Sequence, residues 1–243
     1  MLAVVCLLLL ALVAGVLSGV VGTGSSLLLL PALLWVYGPR VAVPVMGIAA
    51  VLGNLGRVIA WWRRIAWRPM LAYAVPGVPA AALGARTLLT IPPAVVDGAL
   101  AAFFLAMIAV RRGKALQRWR FTAWHLALAG TVVGFLTGMM FSTGPLNVPI
   151  FTAYGLSGGA FLGTEAASSL LLYAGKLATF GVSDALPGAT VARGVMIGAA
   201  LLVGSIVARR IVERIGAHTY DILIDIVLAV GAATMILAIV RSG

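Results

Sequence analysis

Three ionisable side chains stand in stretches where nearly everything else is apolar. Arg57 follows Asn54 in GNLGRVIAWW, and Glu165 and Lys176 share FLGTEAASSLLLYAGKLATFG. A charge at the centre of a membrane helix costs about 2.5–3.5 kcal/mol on insertion scales, so each should face a polar cavity or a partner. On one helix Glu165, Ser169, Tyr173 and Lys176 fall at i, i+4, i+8 and i+11, a single polar face. Glu165 and Lys176 are roughly 16 Å apart along that face and cannot neutralise each other. The chemistry open to such groups is anion binding by Arg57 and Lys176 and carriage of a coupling proton by Glu165. The alternative is that the two cations snorkel to the membrane surfaces and that Glu165 is a charge at the cytoplasmic mouth.

Two further stretches mix glycines and hydroxyls inside apolar runs: Gly22, Thr23, Gly24, Ser25 and Ser26, then Ser142, Thr143, Gly144 and Pro145, with Asn147 just beyond. Glycine permits a sharp turn, hydroxyls are expected to cap the helix that follows, and Pro145 suits a first helical turn. The apolar run after the first break, residues 26–37, would span roughly 18 Å as a helix, short of a hydrocarbon core of about 30 Å. The run ending at residue 155 is shorter still. Both read as half-helices returning from a turn shielded from lipid. Each N-terminus offers unpaired N–H groups and about half a positive charge to an anion. Glycines can also serve close helix packing, and Gly15 and Gly19 fit that reading.

The elements that hold these groups are those of a membrane protein. The 243 residues are 63% hydrophobic and 9% charged, with mean hydropathy +1.14, far beyond a soluble domain. The first fifteen residues carry no Lys or Arg, so they are expected to be a retained segment rather than a signal peptide. The lone Cys6 excludes an internal disulfide, and no ligand cluster suggests a metal. The net charge of +11 lies in short loops rather than on a nucleic-acid-binding module.

Apolar segments are read at residues 2–21, 26–37, 42–61, 70–89 and 93–110, then at 125–141, 145–155, 160–180, 190–208 and 219–240. The basic stretch 111–124 divides them into two halves, 1–110 and 125–243. Residues 15–38 and 134–155 share Gly-x-x-(Ser/Thr)-Gly, a polar break, a proline and a closing Tyr-Gly. The offset of about 119 residues that relates them also brings Asn54 onto Tyr173 and Arg57 onto Lys176. With the basic loops at 63–68, 111–120 and 209–214 all cytoplasmic, each half crosses an odd net number of times. The expected fold is therefore an all-α polytopic membrane protein of two inverted repeats. Each repeat has a broken, re-entrant helix pair and three transmembrane helices, eight to ten membrane segments in all, with both termini outside. Asp97, Asp221 and Asp225 near segment starts suit helix ends, and His125 and His218 flank cytoplasmic ends.

The pattern Gly15-x-x-x-Gly19-x-x-Gly22-x-Gly24, with Pro31 beyond, opens each half and resembles the sulfite exporter TauE/SafE family of bacterial membrane transporters over essentially the whole chain. Gly24, Ser25 and Ser26 stand where that family typically has a glycine triplet. The resemblance implies transport of a small anion, sulfite, a sulfonate or a related organosulfur or organic anion, across the inner membrane, driven by an ion gradient.

No nucleophile beside a base and no phosphate loop is present, so neither an enzyme nor a bound cofactor is expected. The expected binding residues are Thr23, Gly24, Ser25, Ser26, Asn54, Arg57, Ser142, Thr143, Gly144, Asn147, Ser169, Tyr173 and Lys176, with Glu165 for the proton. The expected partners are a small anionic substrate, membrane lipid and a coupling proton or sodium ion, and not nucleic acid; the oligomeric state stays open. A passive anion channel and a ten-helix drug/metabolite carrier with full crossings are the competing classes.

Overall fold

The computed structural model describes residues 2–90, 120–139, 143–182 and 187–214. The expected segments 93–110 and 219–240, most of the basic linker, Ser142, Asp97, His218, Asp221 and Asp225 lie outside the described residues. Among the described residues there is no strand. The helices are α1 (Leu2–Val21), α2 (Ser25–Tyr37), α3 (Pro39–Trp61), α4 (Trp67–Thr90), α5 (Ala123–Met139), α6 (Gly144–Ala153), α7 (Gly158–Val182) and α8 (Gly188–Val212), with a 3-10 turn at Trp62–Arg64 after α3. Three stretches of the described residues are long and apolar enough to cross a membrane: Val4–Val21, Pro44–Arg64 and Gly188–Val212. The described residues form an all-helical membrane protein, and the helix limits follow the apolar segments there to within a few residues.

Helix packing here depends on small side chains, because lipid is as apolar as leucine and gives no hydrophobic drive between helices. In α1, Val5, Leu9 and Val13 point outward while Ala11, Ala14 and Ser18 are buried. Gly15 and Gly19 bring this inner face onto Leu201, Ser205 and Ala208 of α8, and Gly204 returns the contact against Leu12 and Gly15. The second close pair is α4 with α5. Gly130 lies on the Tyr73 carbonyl, Gly134 on Gly77, and Gly138 on Ala81 and Gly84. Thus the glycines of the repeated opening motif serve as packing surfaces in both halves.

The remaining helices close around these two pairs. Helix α3 packs on α7 and α8, α7 packs on α3 and α4, and the short α2 lies against α1 and α3. The short α6 touches α5 and α7. Helices α2 and α3 are joined by Gly38, and α6 is followed by Gly155, both with positive φ (70° and 101°). The Tyr-Gly that closes each motif is therefore a left-handed turn in each half.

Arginines mark both ends of the bundle. Arg209 of α8 donates to the Ala60 carbonyl at 2.8 Å and lies 5.5 Å from the Trp61 ring, so the basic ends of α3 and α8 meet. Gly159 of α7 abuts Trp61 at the same end, and Phe121 N–H donates to the carbonyl of Ala153, the last residue of α6, at 3.0 Å. At the other end of α8, Arg193 lies 5.0 Å from the ring of Tyr37, the last residue of α2. The sixteen residue steps from Arg193 to Arg209 span roughly 24 Å of helix.

A Cβ on Gly134 would overlap the Gly77 backbone, whereas one on Gly181 meets open space. Gly134→Val is expected to destabilise the fold by about 1–3 kcal/mol through forced separation of α4 and α5. Gly181→Val should leave stability near that of the parent. Thermal unfolding of the detergent-solubilised proteins checks the difference.

Candidate functional site

The first break is made by glycine. Helix α1 ends as Gly22 N–H donates to the Ser18 carbonyl at 2.8 Å. Gly22 and Gly24 then adopt φ of 87° and 109°, a region that side chains with a Cβ rarely enter. Helix α2 starts at the next residue. In the second break, Thr143 precedes α6 with ordinary backbone, and Pro145 falls in the first turn as expected.

Two local expectations are corrected. The hydroxyls do not cap the short helices: Gly24 and Thr143 hold the N-cap positions, and neither makes a side-chain cap hydrogen bond. Gly24 has no side chain to offer, and the Thr143 hydroxyl pairs instead with Thr137 Oγ1 at 2.6 Å. Gly144 does not supply a left-handed turn. Its missing Cβ matters because one placed there would collide with Thr23 Oγ1. The starts of α2 and α6 therefore touch.

Around this contact lies a cavity of about 40 Å³. A water needs roughly 10–15 Å³ by the same measure, so there is room for a few waters or one small anion. Thr23, Gly24, Ser25 and Ser26 line it from the first break, Asn54 and Arg57 from α3, Thr143 and Gly144 from the second break, and Glu165, Ser169 and Tyr173 from α7. All eleven were expected from sequence. Ser18 of α1 and Ser205 of α8 also line it and were not expected. Ser18 was visible only as the hydroxyl of Gly-x-x-(Ser/Thr)-Gly. Ser205 ends a stretch whose partner helix cannot be read from the sequence.

Arg57 and Glu165 form the charged centre. Their side chains are 5% and 2% exposed, and Arg57 Nη1 lies 2.5 Å from Glu165 Oε2. The same Nη1 donates to the Gly22 carbonyl at 2.5 Å, and Nη2 donates to Asn54 Oδ1. Nε is buried without an acceptor among the described residues. The other carboxylate oxygen, Glu165 Oε1, accepts from Ser169 Oγ at 2.7 Å and from Asn147 Nδ2 at 3.0 Å. Asn147 accepts in turn from the Tyr73 hydroxyl at 2.6 Å. Asn147 thus acts from behind Glu165 rather than on the cavity wall. Tyr73, missed in the sequence, joins α4 to the same network.

Lys176 stands apart. It is fully buried, continues the polar face of α7, and falls outside the residues lining the cavity. Its Nζ donates to the Thr137 carbonyl at 2.9 Å and lies 5.5 Å from the Phe180 ring. Its position still answers to that of Arg57. Arg57 binds the carbonyl of Gly22, just past the end of α1, and Lys176 binds a carbonyl in the last turn of α5. Each cation meets the negative end of the helix that runs into a break, where a positive charge is favoured.

Residues 7–235 match the family model described as Sulfite exporter TauE/SafE. The chain belongs to the sulfite exporter TauE/SafE family. Searches of curated proteins and of solved structures return no match. The family is one of membrane transporters, which agrees with an apolar helical bundle built around a small polar cavity.

Removing one member of a buried ion pair leaves a bare charge and costs about 3–5 kcal/mol, whereas removing both costs less. Arg57→Met and Glu165→Leu are each expected to destabilise by that amount, and the double variant by less than either alone. A double-mutant cycle read by thermal unfolding checks this; additive losses would mean the two charges do not interact.

Proposed function

We propose that this chain is a secondary transporter that carries a small anion, sulfite or a compact sulfonate, by alternating access around the cavity between the starts of α2 and α6. The observation that carries the reading is the contact of Thr23 with Gly144. It sets two uncapped helix N-termini, each with outward N–H groups and a partial positive charge, against one pocket that also holds a guanidinium. A cavity of about 40 Å³ favours a sulfite-sized oxyanion over a bulky organic one.

The same geometry supports two inverted repeats, 1–110 and 125–243, joined by a cytoplasmic linker at 111–124. Helix α2 leaves the cavity toward Arg193, and α6 leaves it toward the end where Trp61 and Arg209 meet. Two short helices that start together and run to opposite ends are what re-entrant pairs of opposite orientation would produce. Thr23 and Thr143 are buried, which disfavours a carrier whose ten segments all cross fully, since that would put both breaks at the membrane surfaces. The meeting of the loops at 63–68 and 209–214 supports placing the basic loops on one side. By the positive-inside rule that side is the cytoplasm of a bacterial inner membrane, with both termini outside.

In this reading Arg57 holds the anion, helped by the amides of Ser25, Ser26 and Gly144 and by the hydroxyls of Thr23 and Ser169. Lys176 secures the end of α5. Purified protein is expected to bind sulfite, and proteoliposomes to accumulate it when an ion gradient is imposed. The neutral double variant Arg57→Gln/Glu165→Gln avoids a bare buried charge. It should lose affinity by about tenfold to a hundredfold, the worth of one charged hydrogen bond. Unchanged sulfite affinity in the folded variant would remove Arg57 from the site, and uptake that no gradient can drive uphill would make the protein a channel.

A further inference from the structure

We propose that Glu165 is the cavity's resident anion, a tethered carboxylate that occupies Arg57 until a substrate anion and one proton displace it together. This rests on the anion-binding reading above and adds the coupling ion and its carrier.

The Arg57 guanidinium faces the cavity already engaged: by the Gly22 carbonyl, by Asn54, and by Glu165 Oε2 at 2.5 Å. The first two acceptors are neutral and hold the guanidinium in place. Only Glu165 brings a charge, and it cancels the one positive side chain among the described residues of the cavity wall. An incoming anion would meet a neutral pair and, 2.5 Å from the guanidinium, a carboxylate of its own sign. Inside protein, where charges are screened less than in water, that repulsion opposes binding.

Protonation of Glu165 resolves the conflict without moving charge out of the protein. A proton from solution placed on Oε2 turns the carboxylate into a hydroxyl donor and leaves Oε1 as the acceptor for Ser169 and Asn147. The guanidinium then carries an unbalanced charge that the substrate anion neutralises. One proton enters with each anion and leaves with it, so a monoanion crosses without net charge. With no anion present, the carboxylate closes the pair again, and the empty carrier keeps no bare charge in its interior.

The groups able to alter this titration are few among the described residues. Arg57 and Asn54 face Glu165 from α3, and Asn147 faces it from α6 with Tyr73 of α4 behind. Ser169 and Tyr173 adjoin it on its own helix. Lys176 lies three turns along α7, its Nζ bound at α5. Arg57 is thus the cation in contact with the carboxylate.

Equilibrium binding of methanesulfonate, which stays ionised throughout the neutral range, tests the proposal, with sulfite as second probe. Linkage to one proton requires wild-type affinity to fall roughly tenfold for each pH unit above the ionisation of Glu165. Glu165→Gln, which cannot ionise, should bind with an affinity independent of pH and at least tenfold tighter than wild type at alkaline pH. The wild-type protein alone supplies a second reading: calorimetry in buffers of different ionisation enthalpy should report one proton taken up per methanesulfonate bound. Equal, pH-independent affinities in wild type and variant, or no proton uptake by wild type, would overturn the exchange while leaving the anion site standing. Failure of both probes to bind either protein would overturn the anion site as well.

Discussion

A buried guanidinium and a buried carboxylate constrain the rest of this molecule. Arg57 and Glu165 are each almost wholly buried, and either charge left there without the other would be costly. Their neighbours follow from that need. Gly22 and Asn54 accept from the guanidinium, and Ser169 and Asn147 donate to the carboxylate. Through these groups one pair of charges ties together the first break, α3, α6 and α7, and through Tyr73 also α4. Polar networks of this kind specify one arrangement, because a shifted helix would leave a charge unmet in a low-dielectric interior.

The glycines serve the same end by another route. Along α1 and α5 they let backbones approach α8 and α4 so closely that no side chain could stand between them. At Gly22 and Gly24 they carry the chain through positive φ from α1 into α2, and at Gly144 the absent Cβ lets two helix starts meet. Irregular backbone at such a depth is tolerable only where protein, not lipid, surrounds it. The cavity is what remains when two helices stop short and neither first turn is capped by a side chain.

The site was legible in the sequence to the extent that its residues are anomalous. Arg57 and Glu165 stood out because charges are rare in apolar segments, and the two breaks because hydroxyls and glycines interrupt runs of leucine. Tyr73, Ser18 and Ser205 gave no such signal, since a tyrosine or serine facing a neighbouring helix looks the same in sequence as one facing lipid. Lys176 was as anomalous as Arg57 and was grouped with it. Three turns of helix carry it away from the cavity to the end of α5, a distance that matching positions in a repeat do not reveal.

What the order of residues determined by itself is whatever depends on neighbours a few positions away. This includes the helices and their limits, the shortness of α2 and α6, the repeated motif, and the polar face of α7. Membership of the TauE/SafE family is of the same kind, since it is carried by the linear pattern. What only the tertiary structure decided is which anomalies meet. Arg57 finds Glu165 across 108 residues, Thr23 finds Gly144, and the hydroxyl of Thr143 turns to Thr137 rather than to its own helix. These pairings follow from how helices cross, which is set by small-residue contacts spread over the whole bundle and not by any one stretch of chain.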